Sequence, residues 1–243
     1  MRSEKRNRKK FEPIQVLSQR LFQKNKGRNL VAILAILMTT MMFTALFTLA
    51  QSMSENLVAM TFRQTGYDAQ VSFKSIKPEQ AKILAGHPNV KEVGESTVLG
   101  LAENKALAGK QVEIRQADDS YANHSFSMPT TGHMPINKNE AALDTLTLKR
   151  LGIEPKLGEK VTLEWRKDLS DPEAEKISST FTLCGFWEGN ESVYAGMAWV
   201  SKDYVEAMVE NGDAEVPDGN VFGLHMAQVT LHSDRNIEKN INQ

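Results

Sequence analysis

The side chains with the readiest chemistry in this 243-residue chain are five histidines, His87, His124, His133, His225 and His232, and one cysteine, Cys184. No histidine sits in an HExxH pattern or a comparable metal-ligand spacing. His124 and His133 lie in a Gly/Pro/Ser-rich stretch with Asp118 and Asp119 nearby, where sequence order could gather a loop cation site. Solvent-facing polar residues explain that stretch more simply, so no metal ligand is expected. The lone cysteine excludes an internal disulfide and a Cys-based zinc site. No GxSxG elbow, SxxK pair or GxxxxGK[ST] loop occurs, so nucleophilic hydrolysis and in-chain ATP binding both lack a carrier. No catalytic or cofactor-binding residue is expected, and the chain does not read as an enzyme. Asn123-His124-Ser125 and Asn190-Glu191-Ser192 fit the glycosylation pattern, a motif too short to carry function by itself. Trp165, Trp187 and Trp199 fall on expected strands, where packing explains them better than ligand stacking does.

The elements around these residues are dominated by one segment. Leu30 to Ala50 runs for 21 residues without a charge, Gly or Pro. As a helix it would span roughly 31 Å, matching the roughly 30 Å of hydrocarbon in a bilayer. Residues 1 to 28 hold ten basic and two acidic residues, a local charge of +8, which leaves −9 for the remainder. The mean hydropathy of −0.38 requires the rest of the chain to be water-loving. One spanning helix with a large soluble domain satisfies both facts. Basic flanks stay cytoplasmic, so the N-terminus is expected inside a plasma membrane and residues 52–243 outside the cytoplasm. A cleaved signal has a shorter apolar core and a shorter basic start. Nucleic acid is not an expected partner, because the basic stretch lacks interleaved aromatics and abuts the span, where Lys and Arg attract anionic lipid.

Within residues 1–29, Ile14, Leu17, Leu21 and Phe22 share one face of a short amphipathic helix opened by Pro13. Such a helix would touch the membrane interface or a cytoplasmic partner. The span is expected over 30–51, with a helical stalk over 52–65 ended by Gly66. The rest, 66–243, alternates strand and helix signals, an α+β domain read as two lobes near 66–126 and 127–232. Strands are expected at Ala69 to Phe73, Val90 to Leu101, Gln111 to Arg115, Lys160 to Trp165, Thr180 to Trp187, Ala195 to Val200 and Leu224 to Leu231. Helices are expected from Pro78 to Leu84 and from Lys202 to Val209. A third helix is expected to begin at Glu140, capped by Asn139, to bury Leu143, Leu146 and Leu151, and to close at Gly152. Arg166 to Lys176, with Pro172 among many charges, reads as a solvent-facing insertion. Residues from Asp234 on look like the start of a helix, as though the chain continued.

The order of these features resembles the permease subunits of ABC transporters of the MacB and FtsX-like type. Lys24 to Leu37 (KNKGRNLVAILAIL) is similar to the basic stretch before that family's first spanning helix. Gly66-Tyr67-Asp68-Ala69-Gln70-Val71 and then Pro88-Asn89-Val90-Lys91-Glu92-Val93 resemble the opening of its periplasmic core domain. The most specific run is Gly132-His133-Met134-Pro135, Asn139 to Leu143, Leu151-Gly152-Ile153, Leu157 to Leu163 and Phe181 to Phe186. The resemblance implies an N-terminal portion of a longer permease, with three further spanning helices after the core domain. It also implies a separate subunit that binds the ATP, and a second permease copy or permease half in the bilayer. Ile14, Leu17, Leu21 and Phe22 would be candidates for contact with the ATPase subunit or the membrane interface. The reading from another class is a single-span anchored binding or sensory module, which would need no ATPase.

Overall fold

The computed structural model describes residues 13–166, 173, 175–193, 195–212, 214, 216, 219–233 and 237. The expected charged insertion and the expected final helix fall mostly outside them. The chain divides into two compact units, Met1–Val58 and Ala59–Gln243. The described residues of the first are almost all helical. Helix α1 covers Pro13–Lys24, and α2 runs as one element over Lys26–Thr65, 40 residues. At 1.5 Å per residue α2 is roughly 60 Å long, about twice the hydrocarbon thickness. It ends where expected: Gly66 takes φ +90°, a conformation that L side chains avoid, and its N–H donates to the Phe62 carbonyl at 2.8 Å.

The second unit is built on one nine-stranded mixed sheet. Its strands are β1 (Val71–Lys74), β2 (Val90–Leu101), β3 (Val112–Ala117), β4 (Thr131–Gly132), β5 (Glu140–Asp144), β6 (Lys160–Arg166), β7 (Lys176–Trp187), β8 (Gly196–Val200) and β9 (Leu224–Leu231). The spatial order is β1-β9-β2-β3-β8-β5-β7-β4, with β6 also paired to β7. The β3–β8 and β5–β7 pairs are parallel and the others antiparallel. Strands from 66–126 and from 127–232 thus share a single sheet, joined where β3 meets β8 and where β9 lies between β1 and β2.

Successive residues of the central strands enter different clusters, as the two-residue pleat requires. Leu99, Ile114, Ala141, Leu143, Leu163, Leu183 and Ala198 join one core with Trp165 and Phe181. Val98, Ala142, Trp187, Met197, Trp199 and Met226 join another with Tyr121. The middle of the sheet is therefore covered on both faces. All three tryptophans are buried, Trp165 and Trp199 completely, and both have their indole N–H satisfied, by Ser179 Oγ at 3.1 Å and the Ser127 carbonyl at 2.7 Å. Gly100 is needed where β2 crosses Trp165, since a Cβ there would sit 2.4 Å from the ring.

The helices of this unit are α3 (Pro78–Ala85), α4 (Asp119–His124), α5 (Thr145–Leu151) and α6 (Lys202–Glu210). Asp118, Asp144 and Ser201 cap the last three by accepting from backbone N–H groups. One expectation is corrected here. Glu140 does not begin a helix and Asn139 is not its cap: Glu140–Asp144 is strand β5, lying between β7 and β8. Ala141, Ala142 and Leu143 are all fully buried, which suits a strand covered on both faces but not an amphipathic helix. The helix starts at Thr145, where both Asp144 oxygens are held by Thr147, through its N–H at 2.9 Å and its hydroxyl at 2.6 Å. Leu146 is only half-buried, while Gly152 closes the helix with φ +73° as expected.

Candidate functional site

Helix α2 carries the strongest functional signal. Its segment Lys26–Phe62 is long and apolar enough to cross a membrane, and none of its most apolar window is buried within the protein. An apolar helix exposed all round is unstable in water, where each buried Leu or Ile side chain is worth about 1.5–3 kcal/mol. Its threonine hydroxyls are satisfied within the helix. The hydroxyls of Thr39, Thr40, Thr44 and Thr48 each donate to the carbonyl four residues earlier, at 2.7, 2.8, 2.9 and 2.8 Å. No lipid or partner is then needed to satisfy them. Thr40, Thr44 and Thr48 align with Leu37, Met41, Ala45, Leu49 and Ser52 along a shallow groove on one side. Polar character returns at Gln51, whose side-chain amide donates to Glu55 at 3.1 Å.

The α1–α2 junction keeps the chain nearly helical. Asn25 N–H donates to the Leu21 carbonyl at 3.3 Å, and the Asn29 side-chain amide reaches the Phe22 carbonyl at 3.2 Å. Of the candidate contact residues, Leu21 and Phe22 are each 54% exposed. Ile14 and Leu17 fall within α1, but their side chains lie outside those described.

In the second unit His124 and His133, with Asp118 and Asp119, do not gather into the loop cation site that sequence order alone would allow. His124, at the end of α4, turns to Asp68, with Nδ1 to Oδ1 at 2.5 Å and the Asp68 N–H donating to the His124 carbonyl at 3.0 Å. Its Nε2 reaches Thr230 Oγ1 at 3.2 Å. Asp118 is occupied as the cap of α4 and as acceptor for the Glu95 N–H at 2.8 Å, and burial pushes its pKa up despite these bonds. His225 is bound on both nitrogens, by Thr97 at 2.9 Å and Glu95 at 3.0 Å. These clasps tie α4 and β9 to the segment ahead of β1 and to β2. They were not legible in the sequence, because their partners lie 56 to 130 positions apart.

His133 instead stands beside Glu140 and Cys184. Burial pushes the Cys184 thiol up to about 12, with the Glu140 charge adding to the shift, so it is not a nucleophile at neutral pH. Burial also disfavours the Glu140 carboxylate, but hydrogen bonds from Asn137 and Ile136 outweigh it and hold the pKa low.

No family model and no curated protein matches the sequence. Several solved structures are similar, three of which follow. The first is the extracellular domain of the noncanonical ABC-type transporter YknZ from Gram-positive bacteria, at 12% identity and a TM-score of 0.43, covering 68% of this chain and 78% of that one. The second is a domain of a protein described as a permease from Porphyromonas gingivalis, at 14% identity and TM-score 0.42, covering 69% and 73%. The third is the periplasmic region of MacB from Actinobacillus actinomycetemcomitans, at 14% and 0.41, covering 70% and 72%.

Proposed function

We propose that this chain is a permease component of an ABC transporter of the MacB and FtsX-like type. Helix α2 would be its first membrane span, with the N-terminus in the cytoplasm and the sheet domain outside it. The observation that carries the reading is α2 itself: 40 helical residues whose apolar part is exposed on every side, followed by an α+β domain bearing the ordered motifs of that family. ATP would be bound and hydrolysed by a partner subunit beneath the membrane. Closure of that subunit would move the spanning helices, and the stalk Ser52 to Thr65 would act as a lever on the domain. Leu21 and Phe22, with Ile14 and Leu17, would form the cytoplasmic contact, and a second permease copy or half would cover the groove along Thr40, Thr44 and Thr48.

The test is purification in mild detergent from the native membrane. A subunit that photo-crosslinks ATP and hydrolyses it should copurify, and it should be lost when Leu21 and Phe22 are both changed to Asp. Membrane-embedded protein that carries no ATP-binding subunit would instead support the anchored binding module and overturn the permease reading.

A further inference from the structure

We propose that His133, Glu140 and Cys184 form a binding site for a single divalent transition-metal ion of the zinc class, independently of the membrane reading. One ligand atom from each residue lies within 4.8 Å of the other two. Tetrahedral zinc, with bonds near 2.0–2.3 Å, needs such atoms roughly 3.5 Å apart. Any closure to that spacing falls first to His133, the one exposed residue of the three.

The backbone brings the three together in a way that packing alone does not ask for. Strand β7 lies between β4 and β5. On the β5 side Ala141 pairs with Leu183 and Ala142 with Gly185, so Cys184 is the extra residue of a β-bulge. A bulge re-aims its side chain and is a common device beside sites. On the β4 side Gly132 pairs with Gly185, and the His133 N–H donates to the Cys184 carbonyl at 3.1 Å. The two segments approach so closely that a Cβ on Gly132 would collide with the Cys184 carbonyl oxygen and one on Gly185 with the His133 carbonyl oxygen. Both glycines permit the close approach that sets His133 beside Cys184.

Each ligand is also oriented from behind. His133 Nδ1 lies 2.8 Å from the Met134 carbonyl oxygen, so the neutral ring keeps its proton there and Nε2 keeps the lone pair. The Glu140 carboxylate accepts from the Ile136 and Asn137 N–H groups on Oε2 at 2.9 and 3.0 Å, and from the Asn137 amide on Oε1 at 2.7 Å. One lone pair of Oε1 is left. The thiol has only weak partners, the His133 and Ala141 carbonyls, both at 3.4 Å. An arriving cation displaces the thiol proton, which leaves to solvent, and thiolate and carboxylate together balance its two charges. Imidazole and thiolate favour zinc over magnesium or calcium. Three protein ligands leave a fourth position for water. A lone cysteine does rule out Cys-rich zinc sites, but it does not rule out this mixed set.

Untagged full-length protein in detergent, stripped with chelator, is titrated with Zn2+ against a competing dye and separately with Co2+. One ion per chain is expected, with a thiolate-to-cobalt charge-transfer absorption in the near ultraviolet. His133→Ala should weaken binding by about tenfold or more with an unchanged circular dichroism spectrum, Cys184→Ser should remove the absorption, and His232→Ala should change neither. Wild-type protein lacking the absorption would overturn the site, as would His133→Ala binding with wild-type affinity. So would equal losses in His133→Ala and His232→Ala.

Discussion

Helix α2 and the sheet core use the same apolar vocabulary in opposite circumstances. Leu99, Leu143, Leu163 and Trp165 are almost wholly buried by their own domain, whereas Leu34, Leu37, Met41, Leu46 and Phe47 are exposed on their helix. The first group is complete within the domain. The second is not covered by the described residues, and under the proposed function lipid and a second permease half would cover it.

The largest expected effect separates the two regions. Trp165→Ala opens a cavity in the core and should destabilise the domain by about 3–5 kcal/mol, read as loss of cooperative unfolding in denaturant. Leu37→Lys should leave that unfolding transition alone while adding about 2.5–3.5 kcal/mol to membrane insertion, read as a fall in the membrane-integrated fraction. If Leu37→Lys instead lowered the domain's stability, the contrast between the regions would fail.

The next effect concerns the stalk. Asn56→Pro removes a backbone hydrogen bond and kinks α2 at a cost of roughly 3 kcal/mol. It should leave the domain folded and the partner bound while transport output is lost. Leu57→Ala keeps helix propensity and should be milder. Wild-type output from Asn56→Pro, with ATP hydrolysis unchanged, would make the stalk a passive tether.

The smallest effect is electrostatic. Glu103, just after β2, accepts from Lys176 at 2.9 Å and from Arg166 at 2.8 Å, and those hydrogen bonds hold its pKa below the usual carboxylate value. A carboxylate depressed in the folded state stabilises the fold above its unfolded pKa, and that contribution disappears as pH falls through the folded value. Glu103→Gln should therefore lower Tm slightly at pH 7 and match wild type in acid below the carboxylate range. An equal loss at both pH values would point to packing rather than charge.

Much of the fold is legible in the residues because its signals are local. The limits of β2 and β9, the stop at Gly66 and the Pro78 start of α3 follow from alternation, glycine and proline within a few positions. Strand β5 is not legible, because Glu-Ala-Ala-Leu reads as good helix until its neighbours β7 and β8 bury both faces. Short α4 and β4 carry too few residues to show a period. The His133, Glu140 and Cys184 cluster is invisible for a further reason: it depends on a bulge, and register is a property of paired strands rather than of any one.

Under the proposed function α2 crosses a bilayer and separates the two ends of the chain. In intact cells carrying Cys184→Ser, a cysteine at Ile83, which is 74% exposed on α3, should react with a membrane-impermeant thiol reagent. A cysteine at the exposed Ser18 in α1 should react only after lysis. The reverse pattern, or equal labelling of both sites before lysis, would contradict the topology and the permease reading built on it.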